Sequence, residues 1–506
     1  MTRPGRTLAL TLGALALVRL ALIGRTDLIP DEAYYAIWAD RLAAGYWDQP
    51  GGIAWWNAIV MEFLGRSTTA LRAGAVVLSL VTSVFVYDLG RLTLGDAKRA
   101  MLGVLLLQAL PLTSIGAVLI LHDTLLAAAS AAVMAFFARA IVREEPGWWY
   151  VSIPFAAIAL YAKFSAVILA PAVLIAAFAC GRVASVVRRP HAYLAALAVT
   201  ILFVPALAWN ARNDWVAYLA VTKLSANAAF TLADRFASLG DFLASQMALV
   251  TPIVFGWMVF AVWRALRGND RGRRYLAGFA TALFGYFVVQ SLRAKVQGNW
   301  AALAYLPGAL LAAEAMIDLW ERARPRKWAI AAVVLAVIAT ILIHVHTLRP
   351  FLPIPPSADI TAQARGWKDL AQRVEADARS GSARTAVLAR RYQVASELRF
   401  YLPADIDVYC ASYASRGTQF DIWQSFDELI GRDVIYVDYQ GRAAKLFLHF
   451  DGAEDLPAQM MGSADRKLNV WRLRSFDVEG PLRGYFARPF ADAVERLRRR
   501  IDEGKG

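Results

Sequence analysis

Several residues with catalytic potential lie together near the start of the chain. From residue 26 the sequence reads TDLIPDEAYYAIWADRLAAGYWDQPGG, with the acids Asp31 and Glu32 directly after a proline. Asp31, Tyr34, Tyr35 and Trp38 have the spacing i, i+3, i+4, i+7, so a helix would place one carboxylate and three rings on one face. Such a face suits polyol recognition or general-base chemistry. The acids could instead serve only as the first turn of a helix.

Further charged candidates interrupt apolar sequence. His122 and Asp123 lie between Ile-Leu and Leu-Leu pairs, and Lys163 is the single charge in residues 148–181. Arg293 and Lys295 follow another apolar run. Ionisable residues at membrane depth are candidates for function, and three cations on one side of a membrane favour a phosphate partner. The simpler alternatives are that Asp123 caps a helix and that each cation reaches toward the lipid headgroups.

The amino-acid composition indicates that these residues belong to a membrane protein. The chain has 506 residues, of which 58% are hydrophobic, against about 45–50% in ordinary soluble proteins. Since a helix needs about 20 apolar residues to cross a bilayer, the sequence predicts a polytopic α-helical membrane protein with about eleven transmembrane helices, within a range of about ten to thirteen. The predicted spans are residues 7–24, 68–90, 100–117, 124–142, 148–162, 165–181, 191–209, 241–263, 275–292, 299–317 and 328–347. The fifth and sixth spans form a hairpin that turns at Lys163.

The charge distribution predicts an orientation. The net charge is +14, and most of the excess Lys and Arg lies in alternate loops that include the N-terminus. The positive-inside rule places these loops in the cytoplasm, so the basic composition needs no nucleic-acid partner. Eleven crossings would place residues 350–506 outside the cytoplasm. The sequence therefore predicts a transmembrane catalytic domain, residues 1–349, and an extracytoplasmic domain, residues 350–506.

Two regions outside the spans have a predictable structure. The first outward loop, about residues 25–67, is rich in Trp and acids and is broken at Gln49-Pro50-Gly51-Gly52, which predicts two amphipathic helices at the membrane surface. The region after Pro350 predicts a small α/β domain, with strands at Thr385–Leu388 and Val434–Val437 and a helix at Val394–Tyr401. The two cysteines have no metal-ligand spacing.

The string PDEAYYAIWADRLAAGYWDQPGGIAWW resembles the first-loop signature of the GT-C membrane glycosyltransferases related to protein O-mannosyltransferases and to the lipid A aminoarabinose transferase. Further similar strings follow in order along the chain: LHDTLL, YAKFSAVILAP, PALAWNARNDWVAYL, QGNWAALAYLP and RRYQVASELRFYLP. The resemblance thus spans almost the whole chain. Where relatives have Asp-His-Pro-Pro or Glu-Lys-Pro-Pro, this chain has Asp48-Gln49-Pro50-Gly51. Because a His or Lys is missing there, no metal site is carried over.

The resemblance implies a role for each matching residue. Asp31 is the implied general base and Asp123 the second catalytic acid, while Lys163, Arg293 and Lys295 face the phosphate of the donor lipid. Sugar or acceptor contacts are implied for a further set: Glu32, Tyr34, Tyr35, Asp48, His122 and Asn299. No cofactor is certain, and a divalent metal stays open.

The implied function is that of an inverting glycosyltransferase. It would move a hexosyl or pentosyl group from a polyprenyl-phosphate carrier to lipid A, a lipopolysaccharide core, or another glycan or lipid, at the periplasmic face of a bacterial inner membrane. A transporter or flippase for a lipid-linked sugar, a protein O-glycosyltransferase and a non-catalytic membrane subunit are the alternatives.

Overall fold

The structure is a computed structural model that describes residues 2–225, 230–355, 358–381, 385–413, 415–439, 443–461 and 463–502. Its first part is helical. The α-helices are α1 Arg3–Leu22, α2 Pro30–Trp38, α3 Gly52–Leu64, α4 Thr68–Leu94, α5 Ala97–Ala109, α6 Pro111–Gly116, α7 His122–Val142, α8 Trp148–Val151, α9 Ile153–Ala162, α10 Leu169–Ala179, α11 Val183–Val187, α12 Pro190–Arg212, α13 Val216–Ser225, α14 Leu232–Val250, α15 Pro252–Arg267, α16 Arg271–Ser291, α17 Tyr305–Asp318 and α18 Ala323–Leu348. Short 3₁₀ helices cover Phe164–Ile168 and Gly298–Ala304.

Several of these helices are long and apolar enough to cross a membrane. Within the described ranges six pass by length and composition: α1, α4, α7, α12, the run Gly298–Asp318 and α18. The pair α14 and α15 brings the number to seven if it is one broken span. The chain is thus a polytopic helical protein, whereas the number of eleven crossings stays a prediction.

Several of the predicted spans are not single helices. Residues 241–263 contain the end of α14 and the start of α15, which are bent by 104° relative to each other. The bend lies at Thr251, whose φ of 68° is outside the helical range, and the next helix begins at Pro252. Residues 100–117 are likewise divided at Leu110, because Pro111 starts a new short helix. Hydropathy alone does not detect either change of direction.

The predicted break at Lys163 is present. Helix α9 ends at Ala162, Lys163 has an extended backbone with φ −160° and ψ 137°, and a 3₁₀ helix begins at Phe164. The two arms pack on different partners, since α9 contacts α7 and α12 while α10 contacts α16. Lys163 therefore lies at a junction between several helices.

A buried ion pair fixes α2, the helix that begins the first loop. Glu32 has no exposed surface, and its carboxylate lies 2.7 Å from Arg72 Nη2 on α4. It also accepts hydrogen bonds from the backbone amides of Ile29 at 3.1 Å and Ile120 at 3.0 Å. Because Ile120 lies just before α7, one carboxylate ties α2 to α4 and to the approach to α7. The two predicted first-loop helices correspond to α2 and α3.

The second part of the chain is an α/β unit. Its elements are a 3₁₀ helix Ile360–Ala364, α19 Trp367–Arg379, β1 Ala386–Ala389, α20 Tyr392–Tyr401, β2 Val408–Cys410, α21 Gln419–Trp423, a 3₁₀ helix Phe426–Leu429, β3 Val434–Asp438, α22 Ala444–Phe447, β4 Phe450–Met461, β5 Ser463–Phe476, α23 Arg483–Ala487 and α24 Pro489–Asp502. The strand order is β2-β1-β3-β5-β4. Strand β1 is parallel to β2 and β3, and β5 is antiparallel to β3 and β4. The predicted strands and helix are confirmed, each within two residues at its boundaries.

This unit docks on the first loop. Helix α2 packs against α20. The Tyr401 hydroxyl accepts a hydrogen bond from the Leu28 amide at 2.8 Å, and the Tyr34 hydroxyl accepts one from the Gln419 amide at 2.8 Å. Contacts with α4 and contacts with the α/β unit therefore both position the side chains of α2.

Candidate active site

Asp123 is the centre of a compact polar cluster at the start of α7. Its Oδ1 lies 2.8 Å from Lys163 Nζ, and its Oδ2 accepts a hydrogen bond from Asn299 Nδ2 at 3.1 Å. His122 Nε2 lies 3.4 Å from the same Oδ2. We call these four residues the Asp123 cluster. Three segments that are distant in sequence thus meet at one carboxylate, and all four members were predicted site residues.

Lys163 also forms part of an apolar cavity of about 480 Å³. Its ammonium group lies 5.7 Å from the ring centroid of Trp300, a geometry that suits a cation–π contact. Most of the remaining wall is aliphatic or aromatic, and Gln49 contributes from the first loop. The cavity therefore combines one cation with an apolar interior, as an amphipathic ligand with an anionic head would require.

Asp31 lies in the first turn of α2 and is partly open to solvent. Its Oδ1 accepts a hydrogen bond from the Tyr392 hydroxyl at 3.2 Å. The surrounding protein removes part of the hydration of the carboxylate and raises its pKa, while the charge of Arg416 acts in the opposite direction. The negative charges of Glu32 and Asp123 raise it further. Asp31 is thus a carboxylate with free acceptor capacity and increased basicity.

Packed aromatic rings connect Asp31 with the Asp123 cluster. The ring of Tyr34 lies 4.7 Å from that of Tyr392, and the ring of Tyr35 lies 5.2 Å from His122, edge to face. Trp38 packs at 5.0 Å against both tyrosines. The predicted shared face is therefore present, but all three of its rings are buried. They form a rigid wall beside Asp31 rather than an exposed stacking platform.

The α/β unit supplies two residues that the sequence interpretation did not assign to the site. Arg416 Nη2 lies 3.3 Å from Asp48 Oδ2, and its guanidinium lies 4.7 Å from the ring of Tyr392. Burial raises the pKa of Asp48, and Arg416 opposes this shift. We call Asp31, Asp48, Tyr392 and Arg416 the Asp31 site. Tyr392 belongs to the string RRYQVASELRFYLP that carries the resemblance, whereas no pattern in the sequence distinguishes Arg416.

Three predicted site residues lie apart from these groups. Glu32 is enclosed by its contacts with Arg72 and two backbone amides, so its predicted contact with a sugar has no support in this geometry. Arg293 and Lys295 are exposed in the segment after α16, and within the described residues neither forms an ion pair with the Asp123 cluster. The Asp123 cluster thus contains fewer residues than the set of site residues predicted from the sequence.

A metal-binding arrangement would need several His, Cys, Asp or Glu side chains close together. Among the described residues no three His, Cys, Asp or Glu side chains lie together in a way that could hold an ion. His122 and Asp123 are adjacent, but their remaining neighbours, Lys163 and Asn299, are not metal ligands of that kind. We therefore assign no metal site and derive no step through one.

Comparisons with known proteins agree on one type of enzyme. The family model for dolichyl-phosphate-mannose-protein mannosyltransferase matches residues 48–209, a range that includes Asp48, Asp123 and Lys163. The lipid A galacturonosyltransferase RgtD of Rhizobium johnstonii is 24% identical over 343 residues, which cover 66% of this chain and 69% of that protein.

Two crystal structures share the fold. ArnT from Cupriavidus metallidurans in the apo state is 16% identical with a TM-score of 0.64, over 92% of this chain and 98% of that one. The same protein bound to undecaprenyl phosphate is 17% identical with a TM-score of 0.64, over 93% and 98% of the two chains. At these identities the likeness shows a common fold and leaves the chemistry to the residues.

Proposed function

Because the chain belongs to the superfamily of GT-C membrane glycosyltransferases that resemble protein O-mannosyltransferases, we propose that it transfers a sugar from a polyprenyl-phosphate carrier to lipid A or a related envelope glycolipid. The sequence relative RgtD is named as a lipid A galacturonosyltransferase. A structural relative is described with undecaprenyl phosphate bound. The family model is described by a lipid-phosphate-linked sugar donor. All three descriptions involve a lipid substrate.

The observation that carries the proposal is the position of Lys163. Its ammonium group contacts Asp123 on one side and forms part of the wall of the apolar cavity on the other. A polyprenyl phosphate has the matching two parts, since its tail is apolar and its head is an anion. With the tail in the cavity, the phosphate would meet Lys163 and receive a charge-assisted hydrogen bond. Arg293 and Lys295 would act from the exposed segment after α16.

The reaction needs a base and a stabilised leaving group. An oxygen of the acceptor forms a bond to the anomeric carbon, and the bond from that carbon to the phosphate oxygen breaks. Polyprenyl phosphate leaves with the electron pair, where Lys163 stabilises its charge. The acceptor proton passes to a carboxylate. Attack opposite the phosphate inverts the anomeric centre.

Asp31 suits the role of base better than Asp123. Among the residues that the structure describes, its carboxylate accepts one hydrogen bond, of 3.2 Å from Tyr392, so acceptor capacity remains, and its raised pKa increases its basicity. Asp123 already interacts with Lys163, Asn299 and His122, so its proposed role is to hold the lysine and the amide in place. The negative charge of Asp123 also acts on Asp31. Asp48, Tyr34, Tyr35, His122 and Asn299 shape the walls around the sugar.

The orientation follows the charge distribution. We place the N-terminus in the cytoplasm and the α/β unit, within residues 350–506, in the periplasm of a bacterial cell. In this arrangement the Asp31 site faces the leaflet in which an envelope glycolipid would be modified. Residues 1–349 are then the catalytic membrane domain, to which the α/β unit adds Tyr392 and Arg416.

Mass spectrometry of envelope glycolipids tests the proposal. A deletion strain should lack one sugar-modified glycolipid that its parent contains, and wild-type protein should restore it. The matched variants Asp31→Asn and Lys163→Ala should not restore it at equal expression in the membrane. Identical glycolipid profiles of the deletion strain and its parent, with a change confined to glycoproteins, would move the assignment to a protein O-glycosyltransferase.

A further inference from the structure

The carboxyl ends of three parallel strands form one edge of the α/β sheet. In the order β2-β1-β3, strand β1 lies in the middle. The chain runs from β1 to β2 on one side and then crosses β1 to reach β3 on the other side. In open α/β sheets, ligands bind outside the carboxyl ends of the strands where the order reverses, which here is between β1 and β3. This edge is therefore the expected ligand-binding edge of the unit.

Two arginines at this edge lie against tyrosine rings. Arg390, directly after β1, lies 5.6 Å from the ring of Tyr413 beyond β2. Arg391 lies 5.9 Å from the ring of Tyr439 beyond β3. Asp438, at the end of β3, has its Oδ2 3.6 Å from Arg390 Nη1 and so helps to orient that guanidinium. The edge thus presents guanidinium groups held against aromatic rings.

The same edge leads into the Asp31 site. Tyr392 follows Arg391 immediately, and its hydroxyl contacts Asp31 at 3.2 Å. Arg416, in the segment after β2, stacks on that Tyr392 ring and pairs with Asp48. Consecutive Cα atoms are about 3.8 Å apart. Arg391 is therefore the immediate neighbour of the residue whose hydroxyl contacts the proposed base. Arg391 and Arg416 are both exposed.

We propose that this edge, formed by Arg390, Arg391 and Arg416 with their tyrosines, is a subsite for the anionic group of the acceptor saccharide. The inference rests on the proposed function, whose acceptor it specifies as a sugar that carries a phosphate or a carboxylate. A planar guanidinium binds either anion through two parallel hydrogen bonds, and an aromatic ring beneath it limits its freedom.

The geometry of the reaction also supports this position. In-line attack requires the acceptor to approach opposite the phosphate of the donor. Lys163 and its cavity belong to the helical part of the chain, whereas the Tyr392 hydroxyl and the charge of Arg416 act on Asp31 from the α/β unit. An acceptor whose anion binds at the sheet edge would therefore direct a neighbouring hydroxyl or phosphate oxygen toward Asp31 from the required side.

Binding measurements on the full-length protein in detergent test the subsite without relying on turnover. The probes are phosphorylated lipid A, dephosphorylated lipid A, and dephosphorylated lipid A that carries a uronic acid. Wild-type protein should bind at least one anionic probe about tenfold or more tightly than the neutral one. The affinities of the two anionic probes show whether the subsite recognises a phosphate or a carboxylate.

The variant Arg391→Gln should lose most of this preference and keep its affinity for the neutral probe. Arg379→Gln is the matched control, because Arg379 is an exposed arginine of the same unit that pairs with Glu375 and Asp405. A wild-type protein without any anion preference, or an Arg391→Gln protein that retains it, would refute the subsite. If the preference depends on Arg391 but no sugar is transferred, the subsite stands and the proposed function fails.

Discussion

Adjacent carboxylates on α2 should respond in opposite ways to the loss of their charge. Asp31→Asn keeps the shape of the side chain, and the helix start loses at most about 1 kcal/mol of stabilisation. The amide cannot accept a proton from the acceptor, so we expect transfer to fall at least about 100-fold while the protein stays folded. Donor binding should be unchanged, because the donor phosphate is assigned to Lys163.

Glu32→Gln should act on the fold instead. The carboxylate of Glu32 has no exposed surface, and the side chain of Arg72 is only 4% exposed. Within the described parts of the chain, Glu32 is the carboxylate that pairs with Arg72, at 2.7 Å. Removing one partner of a buried ion pair costs about 3–5 kcal/mol, because the other charge is left uncompensated. Helix α2 would loosen from α4 and from the segment before α7. We therefore expect a lower midpoint of thermal denaturation and loss of activity in proportion to unfolding.

The assay compares both variants with wild type in one detergent. Thermal denaturation measures stability, and transfer of labelled sugar from an undecaprenyl-phosphate donor measures activity. Glu32→Asp, which keeps the charge but shortens the side chain, should recover part of the stability lost in Glu32→Gln. The reasoning would be refuted if Asp31→Asn retained near wild-type turnover, or if Glu32→Gln were as stable as wild type but inactive.

The remaining predictions concern the donor, pH and topology. Lys163→Ala should weaken donor use by about 1.5–3 kcal/mol, measured as kcat/KM for the donor, and Arg293→Ala should have a smaller effect because its side chain is exposed. Transfer should fall as the pH drops through the raised pKa of Asp31, and Arg416→Gln should move this acid limb to higher pH, because the arginine lowers that pKa. A reporter fused after residue 355 should be active only outside the cytoplasm and one at residue 271 only inside, and the same side for both would overturn the orientation.

The sequence was most informative where a charge stood alone in apolar surroundings. Asp123 and Lys163 are 40 residues apart, but each lies within an apolar sequence where an unpaired charge is costly, so each requires a partner. Their ion pair is the physical solution. The break at Lys163 was predictable for a related reason, because an uninterrupted helix through residues 148–181 would exceed the thickness of a bilayer.

Other features depend on the direction of a helix or on contacts between distant residues. Neither hydropathy nor residue spacing predicts these. The bend at Thr251 leaves the apolar sequence of 241–263 unchanged, although Pro252 was a usable sign of a helix start. Glu32 and Asp31 are neighbours of the same type in the sequence. What separates their roles is Arg72, which lies 40 residues away and reaches only one of them.

The α/β unit supplies residues that determine the properties of the site, although its sequence contains few recognisable patterns. Arg416 follows a short strand in an irregular segment, yet it is the positive charge that opposes the raised pKa of both Asp31 and Asp48. Glu397 on α20 is buried, and among the described residues its carboxylate has no hydrogen-bond partner, so burial raises its pKa well above the usual range. Burial, together with the nearby negative charge of Glu32, favours the uncharged form of Glu397 where α20 packs on α2. Since α20 also begins with Tyr392, the packing that hides this acid sets the distance from the Tyr392 hydroxyl to the proposed base.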